Sequence, residues 1–91
     1  MQKDNIGGLV MKFYVYVGYY EVYITTKKME GPATLSSWHK TAENAEKRAM
    51  RDYPSATFLY DEESLRDLGY NWAIEDYQPV WSDDGIKLWQ Y

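Results

Sequence analysis

The sequence predicts a single α+β domain: one main helix packed on a small, largely antiparallel sheet, with a C-terminal β-hairpin. Three observations predict it. Period-two runs rich in Tyr, Val and Ile recur along the 91-residue chain, and such alternation marks strands with one buried face. One segment, residues 42–53, instead carries good helix formers with Ala at helical spacing. Gly-Pro and Asp-Gly pairs punctuate the runs, as turns between elements do. At 45% apolar and 26% charged residues the chain has the make-up of an ordinary globular domain, which excludes wholesale disorder.

Residues 1–10 hold one lysine, one acid and no long apolar stretch. They read as a mobile leader or an addition to the native chain, leaving residues 11–91 as the domain. In residues 12–17, Phe13, Val15 and Val17 alternate with Tyr14 and Tyr16, and the alternation resumes after Gly18 through residues 19–26. A lone glycine is a poor hairpin loop, so one long strand bent at Gly18 is expected. Lys27-Lys28-Met29-Glu30-Gly31-Pro32 is a turn, and residues 33–39 form the next strand.

Thr41 is placed to cap the helix of residues 42–53, with Glu43 in its first turn and Pro54 ending it. Ala42, Ala45, Ala49 and Tyr53 make its apolar stripe, small enough to lie close on a sheet. Residues 56–60 follow as a strand, and Asp61-Glu62-Glu63-Ser64-Leu65-Arg66-Asp67-Leu68 as a short helix or turn ended by Gly69. Tyr70, Trp72 and Ile74 alternate with Asn71, Ala73 and Glu75, which predicts a further strand over residues 70–77. Val80-Trp81 and residues 86–89 form the closing hairpin around Ser82-Asp83-Asp84-Gly85, with Gly85 at positive φ. Trp81 and Ile86 are expected to lie close across it, and Trp89 to return to the core.

The chemistry-bearing side chains are few. There is no cysteine, hence no disulfide and no thiolate metal site, and a cytoplasmic location is expected. No apolar run reaches the roughly 18 to 20 residues of a membrane span. His39 is the one imidazole; Ser36, Ser37 and Ser64 could pair with it, but no nucleophile elbow surrounds any of them. Asp61-Glu62-Glu63 and Asp83-Asp84 are consecutive acids, whereas a calcium loop spaces its ligands around a glycine. Neither a phosphate-binding nor a dinucleotide glycine pattern occurs. A non-enzymatic protein without metal or cofactor is the expectation.

What the chain has in surplus is rigid amphipathic contact surface: ten Tyr and four Trp, the side chains that favour recognition. Charge is uneven as well. Residues 1–60 carry eight Lys and Arg against six Asp and Glu, while residues 61–91 carry two against eight. An acidic half disfavours sequence-independent nucleic-acid binding and favours a basic protein partner. The predicted contact residues are therefore Asp61, Glu62, Glu63, Asp67, Glu75, Asp76, Tyr77, Trp81, Asp83, Asp84 and Tyr91. The alternative is a single-stranded nucleic-acid module that stacks bases on Tyr14, Tyr16, Tyr19 and Tyr23, flanked by Lys12, Lys27, Lys28 and Lys40.

The stretch Thr41-Ala42-Glu43-Asn44-Ala45-Glu46 through Ala49 and on to Tyr53-Pro54-Ser55-Ala56-Thr57-Phe58 is a capped, Ala-striped helix turning directly into a strand. Preceded by two strands, it resembles the compact helix-on-sheet proteins with which phages disable host machinery, such as anti-CRISPR proteins and inhibitors of bacterial RNA polymerase. The resemblance covers residues 33–60 and is architectural. It implies blockade of a large host protein or nucleoprotein by occupancy, and it assigns no residue a role.

Overall fold

A computed structural model describes residues 11–91; the expectation for residues 1–10 lies outside them. Its elements in chain order are β1 (Phe13–Val17), β2 (Glu21–Thr25), β3 (Thr34–His39), α1 (Ala42–Asp52), β4 (Thr57–Asp61), α2 (Glu62–Leu68), α3 (Asn71–Asp76), β5 (Val80–Trp81) and β6 (Lys87–Trp89). The strands form one sheet in the order β3-β1-β2-β4-β6-β5. Among the described strands only β2 and β4 run parallel, joined by a crossover that carries β3 and α1. The fold is the α+β class that the alternation predicts.

Strand alternation sorts side chains onto two faces. On one, Phe13, Val15, Val22, Ile24, Tyr60 and Trp89 pack with Ala42, Ala45 and Ala49 of α1, Leu65 of α2 and Ala73 of α3. The three alanines of α1 are fully buried, so the helix lies close across β1, β2 and β3. Thr41 caps it as expected, its side chain accepting from the Asn44 amide at 3.2 Å. The other face is covered only in part, by Leu59, Ile86 and Leu88 with Tyr23 and Met29 packed against them.

Two sequence expectations are corrected. The first is the long bent strand: β1 and β2 are separate strands of a hairpin, paired from Tyr14 opposite Thr25 to Val17 opposite Val22. The Gly18 N–H donates to the Glu21 carbonyl at 2.8 Å, which leaves Tyr19-Tyr20 as the loop. A Cβ on Gly18 would stand 3.4 Å from the Tyr23 ring and 3.5 Å from the Glu21 carbonyl, ordinary van der Waals contact, so space alone does not require glycine there. The second is residues 70–77, where the structure has the helix α3 in place of a strand. Tyr70, Ala73, Ile74 and Tyr77 also recur at helical spacing, and burial chose that period. Ala73 is fully buried, with Tyr70 and Ile74 packed against the core.

The closing hairpin forms where predicted. Gly85 takes φ of +84°, and the Ser82 N–H donates to the Ile86 carbonyl at 2.9 Å. The register differs by one residue from expectation, with Trp81 opposite Lys87; Trp89 is buried in the core as expected. A Cβ on Gly85 would meet nothing within 4 Å, so any cost of substitution there is backbone strain alone. Gly85→Val is expected to lower stability by roughly 1 kcal/mol or more, and Gly85→Asn by less, because Asn tolerates the left-handed region. Urea denaturation of the two variants checks the ordering.

Candidate partner-binding surface

The fold distributes the predicted contact residues over three places. The first is the β4–α2 corner, where carboxylates serve the fold. Asp61 is 1% exposed. Its Oδ1 accepts from the Ser64 amide at 3.0 Å, capping α2. Its Oδ2 accepts from the Thr25 hydroxyl at 3.2 Å, the Thr26 amide at 2.9 Å and the Thr26 hydroxyl at 2.7 Å. A side chain so enclosed cannot present its charge to a partner, which corrects its assignment to the contact surface. Asp67 Oδ2 accepts from the Ala42 amide at 3.0 Å, holding the first turn of α1. Glu62 is paired with Arg66 at 2.7 Å and Glu63 with Lys27 at 3.9 Å, so much of the negative charge read here is already matched.

The second place is the end of α3. Glu75 and Asp76 are exposed there, beside an aromatic cluster in which Tyr91 is the hub. Its ring centroid lies 5.2 Å from those of Tyr60 and Tyr70, 5.4 Å from Trp72 and 6.4 Å from Tyr77. The Tyr60 hydroxyl donates to Glu46 at 2.6 Å. Burial, then this hydrogen bond and the charge of Glu46, push the Tyr60 phenol far above its ordinary pKa, and burial raises that of Tyr91. Tyr77 and Tyr91 are thus engaged mainly with other rings of the same chain.

The third place brings Trp81, Asp83 and Asp84 together with residues from the far side of the sequence. The β5–β6 turn, the β1–β2 tip and the loop of residues 27–33 enclose a cleft of about 320 Å³, lined by Tyr19, Tyr20, Tyr23, Trp81, Met29 and the acids Glu21, Glu30, Asp83 and Asp84, among others. Asp84 ties two of these loops: its Oδ2 accepts from the Glu30 amide at 2.8 Å and its Oδ1 from the Ser82 hydroxyl at 2.6 Å. Those bonds hold its pKa below the usual carboxylate range, so its charge is fixed. Tyr23 donates to Glu21 at 3.3 Å. Its phenol is raised by burial first and by Glu21 next, with Asp83 and Asp84 adding to the effect.

Tyr19 and Tyr20 are 93% and 81% exposed, and Trp81 64%. No other large apolar or aromatic side chain among the described residues is as bare. Sequence reasoning missed Tyr20 and Glu21 as surface partners because it laid residues 19–26 along a strand, and Met29 and Glu30 because nothing local brings their turn to the β5–β6 turn. Tyr-Tyr directly after Gly18, between two alternating runs, was the available sign of a loop.

The alternative surface is not assembled as drawn. Tyr16 is buried, Tyr19 sits at the hairpin tip, and Lys27 is within 4 Å of Asp61 and Glu63. Lys12 lies over the Trp38 ring, 4.7 Å from its centroid. At the sheet edge, Ser37 Oγ and His39 Nε2 are 2.9 Å apart. The His39 pKa is lowered by burial and then by Arg48, and no carboxylate among the described residues hydrogen-bonds the ring to orient it as a base. No group of three or more His, Cys, Asp or Glu among the described residues could hold a metal ion. No helix among them is long and apolar enough to cross a membrane.

No protein-family model matches the chain, and neither a curated protein nor a solved structure resembles it significantly.

Proposed function

We propose that the chain is a non-enzymatic protein-binding module, working in the cytoplasm, that engages a basic partner at the cleft end of its sheet. The observation that carries this is the joining of three bare aromatic residues, Tyr19, Tyr20 and Trp81, to four carboxylates around one concavity that no Lys or Arg among the described residues lines. Exposed Tyr and Trp supply contact area at little entropic cost, and acidic rims steer a basic partner and set its register. Three parts of the chain build the concavity, and Asp84 cross-links two of them, so its shape is set before binding. In the setting implied by the resemblance to phage inhibitors, the partner is a host protein or nucleoprotein that is blocked by occupancy.

The test starts from partners recovered with tagged chain from its native host and verified by direct titration. Asp83→Lys should weaken the verified partner about tenfold or more, an effect typical of a charge at the centre of a contact. Glu75→Lys, outside the lining of the cleft, should change affinity less than about twofold. Binding should also weaken as salt rises, because rim charges are screened. Equal effects of the two substitutions would contradict the proposal.

A further inference from the structure

We infer that the cleft receives the side chain of one basic residue of the partner, arginine in preference to lysine. The inference rests on the protein-binding reading above and adds the chemical group that is recognised.

Charge and shape both select a cation. The cleft combines the rings of Tyr19, Tyr20, Tyr23 and Trp81 with four carboxylates and no lining cation among the described residues, and a cation on an aromatic face gains from the ring quadrupole. At about 320 Å³ it is at the small end of ligand cavities, the scale of one long side chain and its adjoining backbone. The acids divide into two kinds. Both oxygens of Asp84 are held by the Glu30 amide and the Ser82 hydroxyl, so it acts as a fixed charge. The carboxylates of Asp83 and Glu30 make no hydrogen bond or ion pair among the described residues, so both can accept donors.

The Tyr23 phenol is raised by burial first, then by Glu21 and, to a lesser extent, by Asp83 and Asp84, in keeping with a negative field at this wall of the cleft. Lys87 stands beside the cleft, its ammonium 5.8 Å from the Trp81 centroid, so the bare faces of Tyr19 and Tyr20 are the ones open to a partner's cation. Arginine is preferred because a planar guanidinium can stack on one ring while donating to two carboxylates, whereas an ammonium is a compact, strongly hydrated point charge.

The test is an NMR titration of the ¹⁵N-labelled chain with three capped pentapeptides, acetyl-Gly-Gly-Xaa-Gly-Gly-amide, where Xaa is Arg, Lys or Gln. The Arg peptide should shift the amide signals of Tyr20, Glu30 and Gly85 saturably. It should bind about threefold tighter than the Lys peptide and about tenfold tighter than the Gln peptide, the scale of one well-placed ionic contact. The double variant Glu30→Gln/Asp83→Asn, with an otherwise unchanged spectrum, should lose about tenfold in affinity for the Arg peptide. Equal binding of the Arg and Gln peptides, shifts centred on Glu75 and Asp76, or indifference to the double variant would each overturn the inference. If that happens while Asp83→Lys still weakens a verified partner, the binding surface stands and only its recognised group is wrong. If the partner ignores Asp83→Lys, the surface and the inference fall together.

Discussion

Asp61→Ala is expected to lower the free energy of unfolding by about 3 kcal/mol or more, which can unfold a small domain of ordinary stability. The substitution removes the cap of α2, a loss of roughly 1 kcal/mol. It also takes the acceptor from the Thr26 amide and hydroxyl, and leaves the buried Thr25 hydroxyl only the Lys27 carbonyl at 3.4 Å; a buried donor that loses its acceptor costs about 1–3 kcal/mol. Relaxation and entering water recover part of that sum. Glu62→Ala, one residue along, removes only an exposed pair with Arg66 and should stay within about 0.5 kcal/mol. Urea denaturation of both variants measures the contrast. A loss below about 1 kcal/mol for Asp61→Ala would show that the carboxylate is not the lock between β2, β4 and α2.

Trp89→Ala should cost a further-reaching 3–5 kcal/mol, the usual range for deleting a buried Trp. Trp89 is 2% exposed and donates its indole N–H to the Tyr77 carbonyl at 3.0 Å. It also anchors a weakly paired element: β6 meets β4 at only two positions, Tyr60 opposite Trp89 and Asp61 opposite Leu88. The same hairpin carries Trp81, Asp83 and Asp84, so loss of the anchor should loosen one wall of the cleft. Trp89→Phe keeps most of the apolar contact and drops the hydrogen bond, for an expected loss of roughly 1–2 kcal/mol. If Trp89→Ala costs less than about 1.5 kcal/mol in urea denaturation, the hairpin is held by something other than this ring.

The parts of the fold that were legible in the sequence are those governed by local chemistry. The Ala stripe and Thr41 cap of α1, the Gly69 end of α2 and the Asp-Gly turn at Gly85 each follow from conformational preferences that neighbours need not complete. What was not legible depended on partners distant in sequence. Residues 70–77 fit both a two-residue and a helical period, and only packing of Ala73 against the core decides between them. Tyr19 and Tyr20 continue an alternating pattern into a loop, and the hydrogen bond from Gly18 to Glu21 marks the turn.

The candidate site divides the same way. Its acidic and aromatic character was visible in composition, and Trp81, Asp83 and Asp84 were named from it. Asp61 was misplaced because a carboxylate beside two others looks exposed until Thr25, Thr26 and Ser64 close around it. Tyr20 and Glu30 were missed because β2 lies between β1 and β4 in the sheet, an arrangement that brings the hairpin tip to a turn more than sixty residues away in the chain.

The central claim, that this cleft end is the partner-binding surface, is tested most directly by amide hydrogen exchange of the chain with and without a verified partner. Slowed exchange should centre on residues 18–21, 29–31 and 81–85, with little change in α3. Protection centred instead on α3 and Tyr91, with the cleft segments exchanging as in the unbound chain, would contradict the account.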